Sequence, residues 1–368
     1  MRILILNQYG AADDAPTGKL FGEVAADWTK AGHECEFVSA ERGYRNRGGG
    51  RWGREIRSLA TLLRGGVFAK RADLILAGSS PPCVLVVAAL AAACHGAVLV
   101  HWAMDLYPEL GSRLAGRAAR TCAGVLKGWM RSAYARCQAV VTLDGDMARV
   151  LEGYGVSARV IRPWVCGAHF ERGTGVESAP NGAGERPFFR WAYSGNLGRA
   201  HEWRTLLEAQ ALLEARGVAA ELVFQGGGAA WKPASEHARR LGLLRCRWMS
   251  YVPESELVPR LLENDCLVAT QLPEARGCLW PSKLALFLGM PRPVLWVGPS
   301  GGAVARFLEG EEGVGCYACG DVKGVADWVE RRMALGSQVA PVLDMGEERR
   351  RGLEGWRAIL DQVNGGGR

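Results

Sequence analysis

Residues 189–203 read FRWAYSGNLGRAHEW, and this stretch decides which fold the chain is expected to adopt. Its apolar start predicts a β-strand, and the amphipathic run EWRTLLEAQALLEARG that follows predicts a helix. Gly195 and Gly198 lie at the junction, next to Arg199. Glycines there let the backbone approach a ligand closely, and the helix N-terminus and the arginine add positive charge. The stretch predicts a strand–turn–helix unit that can hold a diphosphate, although it lacks the G-x-G-x-x-G spacing of dinucleotide sites. A plain glycine turn with a solvated arginine is the alternative.

Short apolar strands alternate with helix-length amphipathic stretches on both sides of this unit. Such alternation indicates parallel sheets with right-handed crossovers. The first helix, KLFGEVAADWTKAGH, is predicted over residues 19–33, where a glycine near its end closes it. The predicted strands are RILILNQ (2–8), CEFVSA (35–40), DLILAG (73–78), AVLVHW (97–102), AVVTL (139–143), FFRWAYSG (188–195), AELVFQGGG (220–228), DCLVATQ (265–271) and RPVLWVG (292–298).

The periodicity stops around residues 167–187, where glycine and polar residues predict a linker. We therefore expect two α/β domains, with a ligand cleft between them at the carboxyl ends of the strands. The predicted parts are a first domain over residues 1–170, a linker over 171–187, a second domain over 188–345, and a last amphipathic helix over 346–368 that packs back across the domains.

A second element places a cation at the start of a helix. Residues 281–283 read Pro-Ser-Lys ahead of an apolar run, and serine favours the N-cap while proline breaks the preceding segment. A lysine in the first turn opposes the helix dipole, so we expect Lys283 to face an anion. The glycine cluster QGGG at residues 225–228 ends another strand on the same edge of the predicted sheet.

The cysteines and the N-terminus indicate a reducing compartment. Eleven cysteines have no framework spacing, and the one C-x-x-C pair, Cys316 and Cys319, favours structural thiols over a metal site. The start MRILILNQYG predicts a first strand rather than a signal peptide, which implies a cytoplasmic location. The apolar residues 83–100 have the composition of a membrane span, but His95-Gly96 interrupts them and predicts a buried helix, a turn and a buried strand.

Basic residues concentrate in the first half of the chain. Residues 1–170 hold 21 Lys and Arg against 14 Asp and Glu, whereas the remaining residues hold 24 of each. A helix from about residue 52 would show an apolar stripe bordered by cations, which predicts peripheral binding to an anionic membrane. A core-packed helix with a solvated charged face is the alternative. The arginines assigned to the membrane contact are Arg47, Arg51 and Arg54.

These motifs resemble those of a known family. GNLGRAHE, and PSK followed by G-x-P, are similar to family 4 glycosyltransferases, in particular to the bacterial branch that builds lipopolysaccharide O-antigen, colanic acid and other exopolysaccharides. LNQY…APTGKLFGEVAADWTKAGHE and HWAMDLYPE resemble the same branch, and the match runs in order over nearly the whole chain. The resemblance implies the GT-B fold, in which two Rossmann-like, doubly wound α/β domains face a central cleft.

The resemblance also implies an activity and its partners. It implies a retaining hexosyl- or N-acetylhexosaminyltransferase that needs no cofactor and no divalent metal. The donor is expected to be a nucleotide-sugar, a UDP-sugar, held by the second domain. The acceptor is expected to be a polyprenyl-diphosphate-linked saccharide held by the first domain, at the inner face of the plasma membrane. No nucleic acid partner is expected.

Carried over position by position, the resemblance implies roles for particular residues. Arg199 and Lys283 are expected to neutralise the diphosphate leaving group, since without a metal two charge-assisted contacts must stabilise the developing charge. His101 is expected to touch the transferring sugar or the acceptor, and Asp105 to lie on the acceptor side. The expected donor contacts are Gly18 and Lys19 in a first glycine loop, and Gly195, Asn196, Gly198, Gly226, Glu274 and Ser282.

Two positions depart from the family pattern. Many members carry two glutamates, separated by seven residues, that bind the sugar and the nucleotide ribose, and the matching positions here are Cys278 and Leu286. Glu274 is a candidate for the sugar contact. Two other functions stay open: a nucleotide-sugar 2-epimerase of the same fold, which the missing carboxylates disfavour, and a catalytically weakened partner subunit, which the two retained cations disfavour.

Some of these residues also fit simpler structural interpretations. His101 beside Trp102 fits a satisfied core histidine. Asp105 and Glu109 fit acids at a helix N-terminus. His201 fits a position in the first turn of the helix that follows it.

Overall fold

The structure is a computed structural model that describes residues 1–13, 15–41, 51–114, 117–166 and 187–365, with backbone alone for residues 41, 51, 52 and 117–122. Arg47 and most of the predicted linker lie outside the described residues, and so does the side chain of Arg51. The chain divides into two compact units. Unit 1 comprises Met1–Cys166, Gly277–Trp280 and Glu348–Arg368, and unit 2 comprises Gly167–Arg276 and Pro281–Glu347.

Unit 1 alternates strands and helices in the order that the sequence predicts. Within the described residues its sheet has six strands, all parallel, in the order β2-β1-β3-β4-β5-β6. The elements are β1 Arg2–Tyr9, α1 Pro16–Lys30, β2 Glu34–Glu41, α2 Arg51–Phe68, β3 Leu74–Ala77, α3 Val84–His95, β4 Val98–Ala103, α4 Glu109–Leu114, α5 Arg117–Tyr134, β5 Cys137–Thr142, α6 Gly145–Glu152 and β6 Arg159–Val160.

Unit 2 repeats this architecture. Its described residues form a second six-stranded parallel sheet in the order β12-β11-β10-β7-β8-β9. The elements are β7 Phe189–Asn196, α7 Arg204–Ala215, β8 Ala220–Gly227, α8 Trp231–Arg240, β9 Cys246–Met249, α9 Glu254–Leu262, β10 Cys266–Thr270, a 3₁₀ turn Pro273–Ala275, α10 Lys283–Leu288, β11 Val294–Gly298, α11 Ala303–Leu308, β12 Val314–Ala318, α12 Val322–Leu335 and α13 Met345–Gly365, most of which belongs to unit 1.

The predicted α/β fold with two Rossmann-like halves is confirmed. Each predicted strand is present to within two residues at either end, and the apolar residues 83–100 form α3, a turn at Gly96 with φ +64° and β4. No helix within the described ranges is long and apolar enough to cross a membrane. The prediction missed β6, β9 and β12, because these strands are short and lack a continuous apolar run: β6 is exposed, and β9 and β12 are mostly half-buried.

Central strands of both sheets are buried on both faces. Ile3, Leu4, Ile5 and Leu6 of β1 are fully buried, as expected for a parallel sheet that is covered by helices on each side. Their burial explains why the strand reads as an unbroken apolar run rather than an alternating one.

The core of unit 1 is completed by α13, the last helix of the chain. Trp356 of α13 is fully buried, with its ring centroid 4.5 Å from that of Trp102 and 6.0 Å from that of Trp28. At Gly352, one turn earlier, a Cβ would lie 2.2 Å from the Trp164 ring, so a glycine is needed for the helix to pack this closely.

We predict that Trp356→Ala lowers the free energy of unfolding by about 3–5 kcal/mol, because it removes a fully buried aromatic side chain and leaves a cavity. Urea unfolding followed by circular dichroism measures the change. Gln362→Ala, at an exposed position of α13, is the matched control. Equal midpoints for the two variants would contradict the packing described for Trp356.

Candidate active site

The predicted glycine turn is formed where β7 and β8 end side by side. Gly195 pairs with Gly226, with φ of +124° and +132° respectively. A Cβ on Gly226 would lie 2.2 Å from the carbonyl oxygen of Gly195. Only glycine fits at that contact, and the left-handed φ values also favour it. The structure thus shows a close approach between the two strand ends, while the expected approach of the backbone to a ligand stays a prediction.

The turn is held by backbone hydrogen bonds and presents its polar side chains outward. The amide of Leu197 donates to the carbonyl of Gly227 at 2.6 Å. Asn196 and Arg199 are exposed, and Gly198 is half-buried. Arg199 therefore carries its guanidinium at the surface of the turn, where an anion can reach it.

Lys283 points its ammonium group at this turn. Its Nζ lies 3.5 Å from the centroid of the Tyr193 ring and 3.3 Å from the position that a Cβ would occupy on Gly195. The residue as a whole is half-buried, but the Nζ atom is buried and has no hydrogen-bond partner among the described residues. Burial lowers the pKa of Lys283 well below its ordinary value. An unpaired buried cation is unfavourable, so an anion bound at the turn would relieve this cost.

Ser282 does not cap the helix N-terminus as expected from the sequence. It occupies the N-cap position of α10, but its backbone is already helical, with φ −54° and ψ −30°, and its side chain makes no capping hydrogen bond. A capping serine needs an extended backbone to reach the free amides of the first turn. The prediction of serine capping at this helix is therefore wrong.

His201 also packs against Tyr193. Its Nδ1 lies 3.0 Å from the carbonyl oxygen of Thr270, and because a carbonyl only accepts, Nδ1 carries the proton. Its ring meets that of Tyr193 edge-on at 5.8 Å. Burial, and then the nearby Lys283 charge, lower the pKa of His201 to about 3. The imidazole is thus neutral near pH 7.

His201 does not lie in the first helical turn, because α7 begins three residues later at Arg204. The first turn is capped instead by Glu202, whose carboxylate accepts from the amide of Thr205 at 2.7 Å. Glu202 lies one residue before the N-cap position, which Trp203 occupies, so the N-cap preferences did not identify this interaction.

In unit 1, His101 has the geometry of a satisfied core histidine. It is 2% exposed, and its Nδ1 donates to the carbonyl of Ala77 at 3.1 Å. Burial lowers its pKa to about 4. The expected contact with a sugar stays a prediction, and a neutral, fixed imidazole is what such a contact would use.

Asp105 lies beside Cys278, one of the two positions where a glutamate was expected from the resemblance. It bridges Leu279 in antiparallel fashion, and the amide of Leu106 donates to the carbonyl of Cys278 at 2.7 Å. Burial raises the pKa of the half-buried Asp105 to about 6. Sequence patterns did not place this carboxyl near Cys278, because a bridge between residues so far apart in the chain leaves no local signal.

The interpretation as helix N-terminal acids holds for only one of the two residues, Asp105 and Glu109. Glu109 is the first residue of α4, so that interpretation is confirmed for it. Its buried carboxylate also lies 3.5 Å from Lys127 Nζ and accepts a hydrogen bond from the Tyr154 hydroxyl. Asp105 precedes the helix by four residues, and the interpretation is wrong there.

Gly18 and Lys19 lie in a helix rather than in the predicted glycine loop. Helix α1 begins at Pro16, which is favoured in a first turn because its missing amide hydrogen is not needed there. A Cβ on Gly18 would lie 2.2 Å from the carbonyl oxygen of Gly10, so this glycine lets the helix pack on the preceding loop. Their contact with a donor stays a prediction.

The remaining predicted residues differ in how exposed they are. Glu274 is exposed in the 3₁₀ turn, and Leu286 is half-buried in α10. Arg54 is half-buried and lies 4.0 Å from the Glu55 carboxylate. The described residues contain no group of three or more His, Cys, Asp or Glu arranged to hold a metal ion. Metal independence stays a prediction.

We predict that His201 makes the fold sensitive to acid. Its folded pKa of about 3 lies below the ordinary value of 6.5, so as the pH falls below 6.5 the unfolded chain gains a proton that the folded chain does not. Stability from this residue is complete above pH 6.5 and is lost on the way to pH 3. Between pH 7 and 5 the loss is about 2 kcal/mol. We expect His201→Asn to lose that much less over the same range in urea titrations; an unchanged pH dependence would contradict the assignment.

No protein-family profile and no curated protein sequence matches this chain. Solved structures share its fold over almost the whole length. Anabaena HepE in complex with UDP and glucose is 16% identical with a TM-score of 0.58, covering 98% of this chain and 95% of that one. A sucrose-phosphate synthase from Thermosynechococcus elongatus is 12% identical with a TM-score of 0.66, covering 99% and 97%. The lipopolysaccharide outer core galactosyltransferase WaaB, in its apo form, is 12% identical with a TM-score of 0.59, covering 99% of both chains. The chain is thus similar to these glycosyltransferases in fold, which is the predicted GT-B fold.

Proposed function

We propose that this protein is a glycosyltransferase that moves a sugar from a nucleoside diphosphate sugar, a UDP-sugar, to an acceptor hydroxyl. The observation that carries the proposal is the buried Nζ of Lys283, unpartnered among the described residues and held against the glycine turn. A buried ammonium beside a backbone turn fits the two negative charges of a diphosphate. The complex of HepE with UDP and glucose supports the same ligand class.

The proposed reaction breaks the bond between the anomeric carbon of the sugar and the phosphate oxygen. The acceptor oxygen forms the new bond to that carbon on the same face, and its proton moves to the leaving phosphate. Configuration is thereby retained without a nucleophile from the protein. Lys283 and Arg199 stabilise the charge that develops on the diphosphate as the sugar leaves.

We predict that Lys283→Met and Arg199→Ala each slow sugar release from the donor by about 10²–10³-fold, which is typical for the loss of one such contact. A panel of UDP-, GDP- and dTDP-sugars identifies the donor by thermal stabilisation, and release of the nucleoside diphosphate gives the rate. The reaction is expected to continue in EDTA. Lys232→Ala, an exposed lysine of the same unit, is the control. Rates within twofold of wild type for both variants, or activity that EDTA abolishes and Mn²⁺ restores, would contradict the proposal.

For the acceptor we propose a lipid-linked saccharide of a bacterial surface polysaccharide, reached from the membrane surface. Helices α2 and α3 pack together, as do α3 and α5, on one side of the sheet of unit 1. These helices expose large apolar side chains: Ile56, Leu63 and Phe68 on α2, Leu90 on α3, and Val125 and Trp129 on α5. Arg57 and Arg64 are exposed on α2. Apolar side chains bordered by cations suit the headgroup region of an anionic bilayer.

We predict that the protein sediments with vesicles that contain phosphatidylglycerol and that binding weakens as salt rises. Each cation near such a surface contributes roughly 1 kcal/mol, so reversing Arg57 and Arg64 to glutamate should weaken binding by tenfold or more. The matched control reverses Arg239 and Arg240, two exposed arginines of α8 in unit 2. Equal binding to neutral and anionic vesicles, or equal loss in both double variants, would rule out this surface.

A further inference from the structure

Tyr193 lies at the centre of the cluster that contains the glycine turn, Lys283 and His201. It belongs to β7 and is fully buried. Its ring face lies under Lys283 Nζ at 3.5 Å, and its ring edge meets His201 at 5.8 Å. Its hydroxyl donates to the main-chain carbonyl of Asn196 at 2.9 Å. One side chain therefore contacts both the buried cation and the turn to which the cation points.

The ring gives the Lys283 ammonium a favourable position in the absence of an anion. An aromatic face attracts a cation, and the attraction grows when the pair is removed from water. Among the described residues Nζ has no hydrogen-bond partner, so this ring is the attractive contact that the structure gives it. Gly195 lies directly beside this position, since a Cβ there would be 3.3 Å from Nζ.

The hydroxyl of Tyr193 holds the turn through a hydrogen bond. It fixes the carbonyl of Asn196, while the next residue, Leu197, is held through its amide to Gly227 at 2.6 Å. Burial raises the pKa of Tyr193 well above its ordinary value, so the hydroxyl stays protonated and remains a donor. Phenylalanine would supply the ring without this bond, and leucine would supply neither.

We propose that Tyr193 is the positioning residue of the diphosphate site: its ring fixes Lys283 over the turn, and its hydroxyl fixes the turn itself. The inference rests on the proposed function, since it takes the diphosphate of the donor as the ligand. It assigns to Tyr193 no contact with the reacting atoms. Its effect on binding therefore passes through Lys283 and the Asn196 carbonyl.

The test is a double-mutant cycle read by calorimetric titration of UDP. Lys283→Met is measured in wild type and in Tyr193→Phe, Tyr193→Leu and Tyr193→Met. In wild type and in Tyr193→Phe, we expect Lys283→Met to weaken UDP binding by about tenfold or more, as for the loss of one charge-assisted contact. In the two variants without a ring, the same change should have an effect of about twofold or less, because Lys283 is no longer held over the turn.

The hydroxyl is tested separately. Tyr193→Phe should weaken UDP binding a few-fold, by about the same factor whether residue 283 is lysine or methionine. Uridine, which has no phosphate, should bind all of these variants as it binds wild type. A general loosening of the unit would weaken uridine and UDP alike. Phe224→Leu, at a fully buried ring 5.9 Å from Tyr193, is the control for lost packing and should leave the Lys283→Met effect unchanged.

The outcomes separate the two claims. A wild-type protein that binds no nucleoside diphosphate overturns the proposed function, and this inference with it. A wild-type protein that binds UDP, with the same Lys283→Met effect in all backgrounds, overturns the inference alone. Two variants remove the ring, so the result does not depend on the folding of either one.

Discussion

The contact between Gly195 and Gly226 is the constraint on which the site in unit 2 depends. Two parallel strands end so close together that a Cβ on one would strike the carbonyl of the other. Lys283, from a different part of the chain, brings its ammonium group close to this turn. Without the two glycines the strands would separate or the turn would change, and the lysine would point at a different surface.

Most of the strands could be predicted from local sequence patterns, since parallel strands that are buried on both faces form continuous apolar runs. The strands that were missed show the limit of this approach. β12 is half-buried at the edge of its sheet, and β9 is half-buried at the opposite edge, so neither has the apolar run that identifies a buried strand. Burial in the fold, rather than composition, determines which segments a pattern can reveal.

Sequence patterns pointed to the candidate site where the chemistry was local and unusual. Lys283 lies at the start of a helix, where its charge opposes the helix dipole. That conflict alone indicates a bound anion. Tyr193 gave no such sign, because a tyrosine in an apolar strand is ordinary and the lysine over its ring comes from a distant segment. Asp105 and Cys278 likewise meet only through folding. Long-range contacts of this kind leave no periodicity in either segment.

The place of Trp356 has a consequence for the order in which the protein is made. This residue fills the core of unit 1, yet it is synthesised after nearly all of unit 2. Domains usually fold in the order in which they leave the ribosome. The indole-lined surface of the first half of the chain therefore stays uncovered until α13, which follows unit 2 in the chain, has been synthesised. The second unit contains only the first residues of that helix, so it can finish folding first.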